Sequence, residues 1–242
     1  LKDHIETVMH FPAPGIALTM AEVGMSVGPD ALRGPGGPLP EDPADDVNLT
    51  AEQAELKSEA ERRLTEWHET GSSLVSSSLY DGISFFSTGL GDDHTHDGQI
   101  GFIPCGYDED VIGIRVNIDL EMALADSAKT LAADAEHVIL LASNCVPRSE
   151  GEIVIASADP FVPPEINFNY FSDPHDLKVM VAIVRRALEI AANWPGDKKL
   201  GSWLIPPMLA DMHGHVEGEK PSDAHLENFA LHFATTVYHL SC

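Results

Sequence analysis

The sequence predicts an α+β fold in which a mixed or antiparallel sheet carries helices on one side. Two observations predict it: short strand signals crowd between residues 73 and 157, and no helix signal follows each of them, as a doubly wound parallel sheet would require. Residues 1–27 hold Ile5, Val8, His10, Ile16 and Met20 among small residues, an extended segment broken at Pro12, Pro14 and Gly15. The run Gly34-Pro35-Gly36-Gly37-Pro38-Leu39-Pro40 is too rich in breakers for a regular element and reads as a surface loop. Thr50 with Gln53 three residues on forms a capping box, and Leu56, Ala60, Leu64 and Trp67 recur at helical spacing until Gly71. That stripe is expected to be the buried face of a helix. β-branched and aromatic runs then predict strands at 73–79, 83–87, 98–104, 111–118, 138–143 and 152–157. A second helix opens with Asp173 as N-cap and Pro174 in the first turn, carries Leu177, Met180, Val181, Val184, Leu188 and Ala191, and stops near Asn193. A third runs from the cap Ser222 through Leu226, Phe229, Ala230 and Phe233.

Composition excludes several classes of function. Lys and Arg number 14 against 39 Asp and Glu in 242 residues, a formal charge of −25 that repels a phosphate backbone. Nucleic acid and anionic membrane are therefore not expected partners. No window of the chain is apolar enough to span a bilayer, and the N-terminus has neither a signal-peptide pattern nor an initiator Met. The expectation is a segment of a longer protein. Cys105, Cys145 and Cys242 are far apart and odd in number, which favours reduced thiols and a cytoplasmic location over a disulfide framework.

Several motifs could carry chemistry. Gly24-Met25-Ser26-Val27-Gly28 fits the GxSxG nucleophile elbow, but Pro29, Pro35 and Pro38 forbid the helix that must follow. His94 and His96 within Asp92-Asp93-His94-Thr95-His96-Asp97, with His213 and His215, form two HxH pairs. In a strand, residues two apart share a face and could present two ring nitrogens to one metal. A metal-dependent hydrolase is thus one alternative function, and a solvated acidic turn is the plain reading of the same residues. Neither Gly89-Leu90-Gly91 nor the Gly34 run has the GxGxxG spacing of a dinucleotide fingerprint.

Three separated segments together resemble the glucose–methanol–choline (GMC) flavin oxidoreductases, and the choline-oxidase-like branch most closely. Leu1-Lys2-Asp3-His4-Ile5-Glu6 is similar to that family's LxDH segment. Residues 144–170, NCVPRSEGEIVIASADPFVPPEINFNY, resemble its signature of a proline, a serine-glycine turn, a strand, a DP step and an Asn-Tyr close. Thr236-Val237-Tyr238-His239 resembles the stretch that delivers the catalytic histidine. The resemblance implies a single substrate-binding domain over 1–242, a sheet of about six strands backed by helices, whose ends at 1–10 and 234–242 lead into an absent FAD-binding half. It implies FAD-dependent oxidation of a small-molecule alcohol with His239 as the base. Val237 and Tyr238 would lie against the flavin, and Glu6 and Gln99 would contact substrate, with no metal required. Glu6 matches a carboxylate that attracts a cationic head group, whereas Gln99 stands where choline oxidases carry a histidine. Two more departures are Glu150, in place of an arginine in the serine-glycine turn, and Cys242, in place of a glycine. A partner chain supplying the flavin half and a homo-oligomer are further expectations. A lyase or decarboxylase on the same scaffold, or a silent acidic interaction module, are the remaining alternatives.

Overall fold

A computed structural model describes residues 1–17, 51–71, 80–92, 95–106, 136–204 and 220–241. In chain order the elements are β1 (Ile5–Pro12), α1 (Ala51–Thr70), β2 (Gly82–Phe86), β3 (Gly98–Ile103), β4 (His137–Asn144), β5 (Glu152–Val154), β6 (Glu165–Asn167), α2 (Pro174–Ala192), α3 (Asp223–Phe233) and β7 (Ala234–Thr236). Among the described residues five strands form one sheet in the order β2-β3-β4-β1-β7, with every neighbour antiparallel. The α+β expectation is met, in its antiparallel form. The strands expected at 73–79 and 111–118 lie outside the described residues.

Period-two alternation divides the sheet into two faces. Ile5, Met9 and Phe11 of β1, Val138, Leu140 and Ala142 of β4, and Ile100 of β3 join the core beneath the helices. Onto that face α2 lays Val179, Met180, Ile183, Val184 and Ala187, and α3 adds Leu226, Phe229, Ala230 and Phe233. Trp203 meets Phe229 edge-on, with ring centroids 4.7 Å apart. Each fully buried Val, Leu, Ile, Met or Phe among them contributes about 1.5–3 kcal/mol. Both helices start where the sequence says. The Asp173 carboxylate accepts from His175 N at 2.8 Å and the Ser222 hydroxyl from His225 N at 3.2 Å, each satisfying an orphan donor of a first turn.

Two expectations are corrected. In α1, Leu64 and Trp67 are exposed while Arg63 is buried, so the apolar stripe is not the covered face in this part of the helix. Its sequence is dominated by Glu, Lys and Arg, and the Arg62–Glu66 pair at 3.7 Å supports it from solvent. The strand expected at 152–157 is shorter, Glu152–Val154, and among the described residues pairs with β6 alone, in a separate two-stranded hairpin exposed along its length. The DP step and prolines at 163 and 164 interrupt the ladder: Pro has no N–H to give, and Asp159 instead turns the chain by accepting from Phe161 N at 3.0 Å.

Candidate active site

The N-terminal segment fastens several distant parts of the chain. Leu1 and Gly151 exchange backbone bonds, at 3.1 Å from the terminal ammonium to the Gly151 carbonyl and 2.8 Å from Gly151 N back to Leu1. Gly151 is needed there, because a Cβ would stand 2.1 Å from the Asn167 carbonyl oxygen. Lys2 pairs with Glu150 at 3.1 Å, so the residue that departs from the resembled turn has a local cation. Asp3 is buried and accepts from the Tyr170 hydroxyl. Burial first, then the Asp3 hydrogen bond and charge, push the Tyr170 phenol well above its usual range, against a bond with Thr236, and it stays a donor. The serine-glycine turn is tied to α2 as well: buried Asp176 accepts from Arg148 N at 2.8 Å and Ser149 N at 2.7 Å.

Strand β7 brings the C-terminal end to the same place. It pairs with β1 in the register Ile5↔Thr236 and Glu6↔Thr235. Beyond it, Thr236 Oγ1 accepts from Tyr238 N at 2.8 Å, and Tyr238 takes a left-handed φ of 63°. An L-residue rarely adopts that conformation, and here it turns the chain out of the ladder. Val237 is half-buried, while Tyr238 and His239 are exposed. His239 is therefore not a core histidine of an apolar strand, the plain alternative for a lone imidazole in such a sequence. Its Nδ1 lies 3.0 Å from Nδ1 of His4, the residue after Asp3. The His4 ring is held below its usual pKa by burial, then by His239, against the Asp3 charge and a bond to the Cys145 backbone.

The other expected substrate residues lie side by side on the sheet face away from the helices. Register places Gln99 opposite Ser143 and Ser143 opposite Glu6, so β3, β4 and β1 present the three in one row, which Thr235 continues on β7. Adjacent strands are about 5 Å apart, which puts the Gln99 and Glu6 backbones about 10 Å from each other. Glu6 is 0% exposed, and Ser143 Oγ donates to its Oε2 at 3.0 Å. Glu6 does not stand at an exposed strand end: β4 and β7 flank it on both sides. Cys145 turns its thiol toward Gln99 Oε1, at 3.7 Å. Farther along the same face His10 and His137 meet edge-on with centroids 6.4 Å apart. Burial and the His137 charge hold His10 down to about 3, so it is neutral in the fold.

Of the metal candidates, His94, His213 and His215 lie outside the described residues, as do the GxSxG motif and Cys242, while His96 is exposed. Among the described residues no group of three or more His, Cys, Asp or Glu could hold a metal ion. Asp97 is not part of a solvated turn. It is buried, and accepts from Thr88 N at 2.7 Å and Thr88 Oγ1 at 2.5 Å. Nor does any helix among the described residues have the length and apolarity to cross a membrane. Sequence reasoning singled out His239, Glu6 and Gln99 but gave no role to Ser143 or His4. Ser143 becomes visible only through strand register, whereas His4 already stood beside Asp3 in the LxDH segment.

Comparison with known proteins adds the family. Residues 147–242 match the family model for GMC oxidoreductase. Patulin synthase of Aspergillus clavatus is 36% identical over 104 residues, 43% of this chain and 15% of that protein. Fatty acid photodecarboxylase of Chlamydomonas reinhardtii is 43% identical over 70 residues, 29% of this chain and 12% of that protein. Choline oxidase of Arthrobacter globiformis is 34% identical over 94 residues, 38% of this chain and 15% of that protein. The chain thus matches only a small part of these relatives. Among solved structures, formate oxidase of Aspergillus oryzae, studied for its FAD modification, superposes with a TM-score of 0.60 over 98% of this chain and 36% of that one. Identity there is 15%, so that likeness is one of fold. With the N-terminal segment bound to the Ser149-Glu150-Gly151 turn and His239 delivered by β7, residues 147–242 match the C-terminal domain of the GMC oxidoreductases.

Proposed function

We propose that residues 1–242 form the substrate side of an FAD-dependent enzyme that oxidises a small-molecule alcohol, with His239 as the general base. The observation that carries this reading is the β1–β7 pairing, which sets an outward-facing imidazole at one end of a sheet whose polar row holds a fully buried carboxylate. A flavin, when bound, supplies the acceptor for the hydride leaving the carbinol carbon. This chain's own part is the proton. An imidazole can take the hydroxyl proton as a general base near neutral pH. The turn at half-buried Val237 and exposed Tyr238 suits the contact side of a flat ring, whereas the chain has no GxGxxG loop to hold its phosphates. Flavin binding is accordingly assigned to sequence beyond this chain, in continuation of the ends at 1–10 and 234–242 or in a partner.

Glu6, with Ser143 and Gln99 beside it, is the proposed recognition row. A carboxylate in this row would attract positive charge, so a cationic or amino-alcohol substrate is the chemistry that fits. The test is His239→Ala in the full-length flavoprotein. We expect kcat for the alcohol substrate to fall by about 10² to 10⁴ with the flavin spectrum retained; unchanged turnover would remove His239 from this role. A decarboxylase is the second reading, favoured by the 43% identity to the photodecarboxylase over 70 residues. Anaerobic bleaching of the flavin bands by an alcohol in the dark supports the oxidase, and bleaching by none supports the decarboxylase.

A further inference from the structure

Building on the reading of His239 as the base, we propose that His4 is a positioning residue that fixes the tautomer of His239. The two Nδ1 atoms are 3.0 Å apart, and the rings meet edge-on with centroids 4.9 Å apart at 73°. Two imidazole nitrogens at that distance share one proton: one ring donates and the other accepts. The surroundings of His4 decide the direction. Its ring is hydrogen-bonded to the Cys145 backbone in the sense that favours protonation, and the Cys145 N–H is already given to the Asp97 carbonyl at 2.9 Å. The acceptor is therefore the Cys145 carbonyl, and the His4 ring is its donor. Because Nδ1 of His4 faces His239, we place the N–H given to Cys145 on Nε2; neutral His4 then keeps a lone pair on Nδ1, which accepts the Nδ1–H of His239.

The consequence appears on the other side of His239. A proton held on its Nδ1 leaves the lone pair on Nε2, the nitrogen turned away from His4, where a substrate hydroxyl can reach it. An unconstrained imidazole divides its proton between both nitrogens, so only part of the population would be ready to act as base. Partial burial of His4 keeps its ring neutral and hence an acceptor. Asp3, one residue earlier and locked by Tyr170, fixes the position of His4. The LxDH segment thereby acquires a physical role. Its Asp anchors the strand start, and its His orients a base that lies at the far end of the sequence.

The test uses the full-length flavoprotein with ¹⁵N-labelled histidine rings, the His239 signals being assigned by their loss in His239→Gln. The wild type should show His239 as the Nδ1–H tautomer. In His4→Ala the signals should move to those of a tautomer mixture, with kcat lowered about tenfold and KM within about twofold. In His4→Asn, whose Oδ1 stands where Nδ1 stood and can accept the same proton, the tautomer and most of the turnover should return. An unchanged His239 tautomer in His4→Ala would overturn the proposal, as would an equal loss in His4→Ala and His4→Asn, which marks a merely structural residue. If instead His239→Ala oxidises alcohol as fast as the wild type, the base assignment fails, and the nitrogen shifts alone decide what His4 does.

Discussion

The two faces of the one sheet obey different rules. Beneath α2 and α3 the alternating residues are Ile5, Met9, Phe11, Val138, Leu140 and Ala142, and stability there follows from apolar area removed from water. On the opposite face the same strands bury Glu6, His10, His137 and Ser143 between apolar neighbours such as Ile139 and Leu141. Burial of those polar groups opposes folding unless each is paired or kept neutral. The helix-packed face thus contributes stability, and the other carries the groups proposed for recognition.

Three experiments sharpen that contrast. The largest effect belongs to the helix-packed face. Phe229→Ala removes a ring in contact with Trp203 and Phe233, and should lower unfolding free energy by about 3–5 kcal/mol in urea titrations. A cost under about 1 kcal/mol would show that this face is not the core it resembles.

The next effect is a pH dependence confined to the polar face. His10 is held down to about 3 by burial and by His137, and burial lowers His137 too, so both rings are neutral in the fold while an unfolded ring takes a proton near pH 6.5. The unfolded state then binds more protons, and stability falls as pH drops below about 6.5 and continues to fall toward 3. Between pH 7 and 5 the His10 contribution is of order 1–2 kcal/mol. His10→Gln should flatten this slope, read from urea midpoints at the two pH values, and an unaltered slope would mean that His10 is not a buried neutral ring. The smallest change in stability is expected for Glu6→Gln, which keeps an acceptor for Ser143 Oγ and removes the carboxyl group. Its unfolding free energy should stay within about 1 kcal/mol of the wild type. KM for a cationic alcohol should rise about tenfold while that for a neutral one does not, a split that a structural role for Glu6 would not produce.

Legibility differed between elements for identifiable reasons. Helices α2 and α3 were readable to the residue at their starts, because Asp173-Pro174 and Ser222 act on the first turn that follows them. The stripe of α1 was equally visible, yet Leu64 and Trp67 are exposed, since periodicity states which residues could be buried and not whether a neighbour covers them. The residues at 152–157 have strand chemistry, but β-propensity does not specify a partner, and β5 pairs with β6 rather than joining the main sheet.

At the candidate site the sequence determined by itself which groups are present: an LxDH segment, a serine-glycine turn that admits no side chain at Gly151, and an imidazole three residues beyond Thr236. Chemistry written in residue types and local spacing needs no fold to be seen. What only the tertiary structure decided is the company those residues keep. The β1–β4–β3 register aligns Glu6, Ser143 and Gln99, and the β1–β7 pairing sets His239 against His4 across 235 positions of chain. A one-residue slip in either ladder would send those side chains to the other face, and nothing local in the sequence fixes that choice. It is fixed by burying one apolar face of the sheet under two helices.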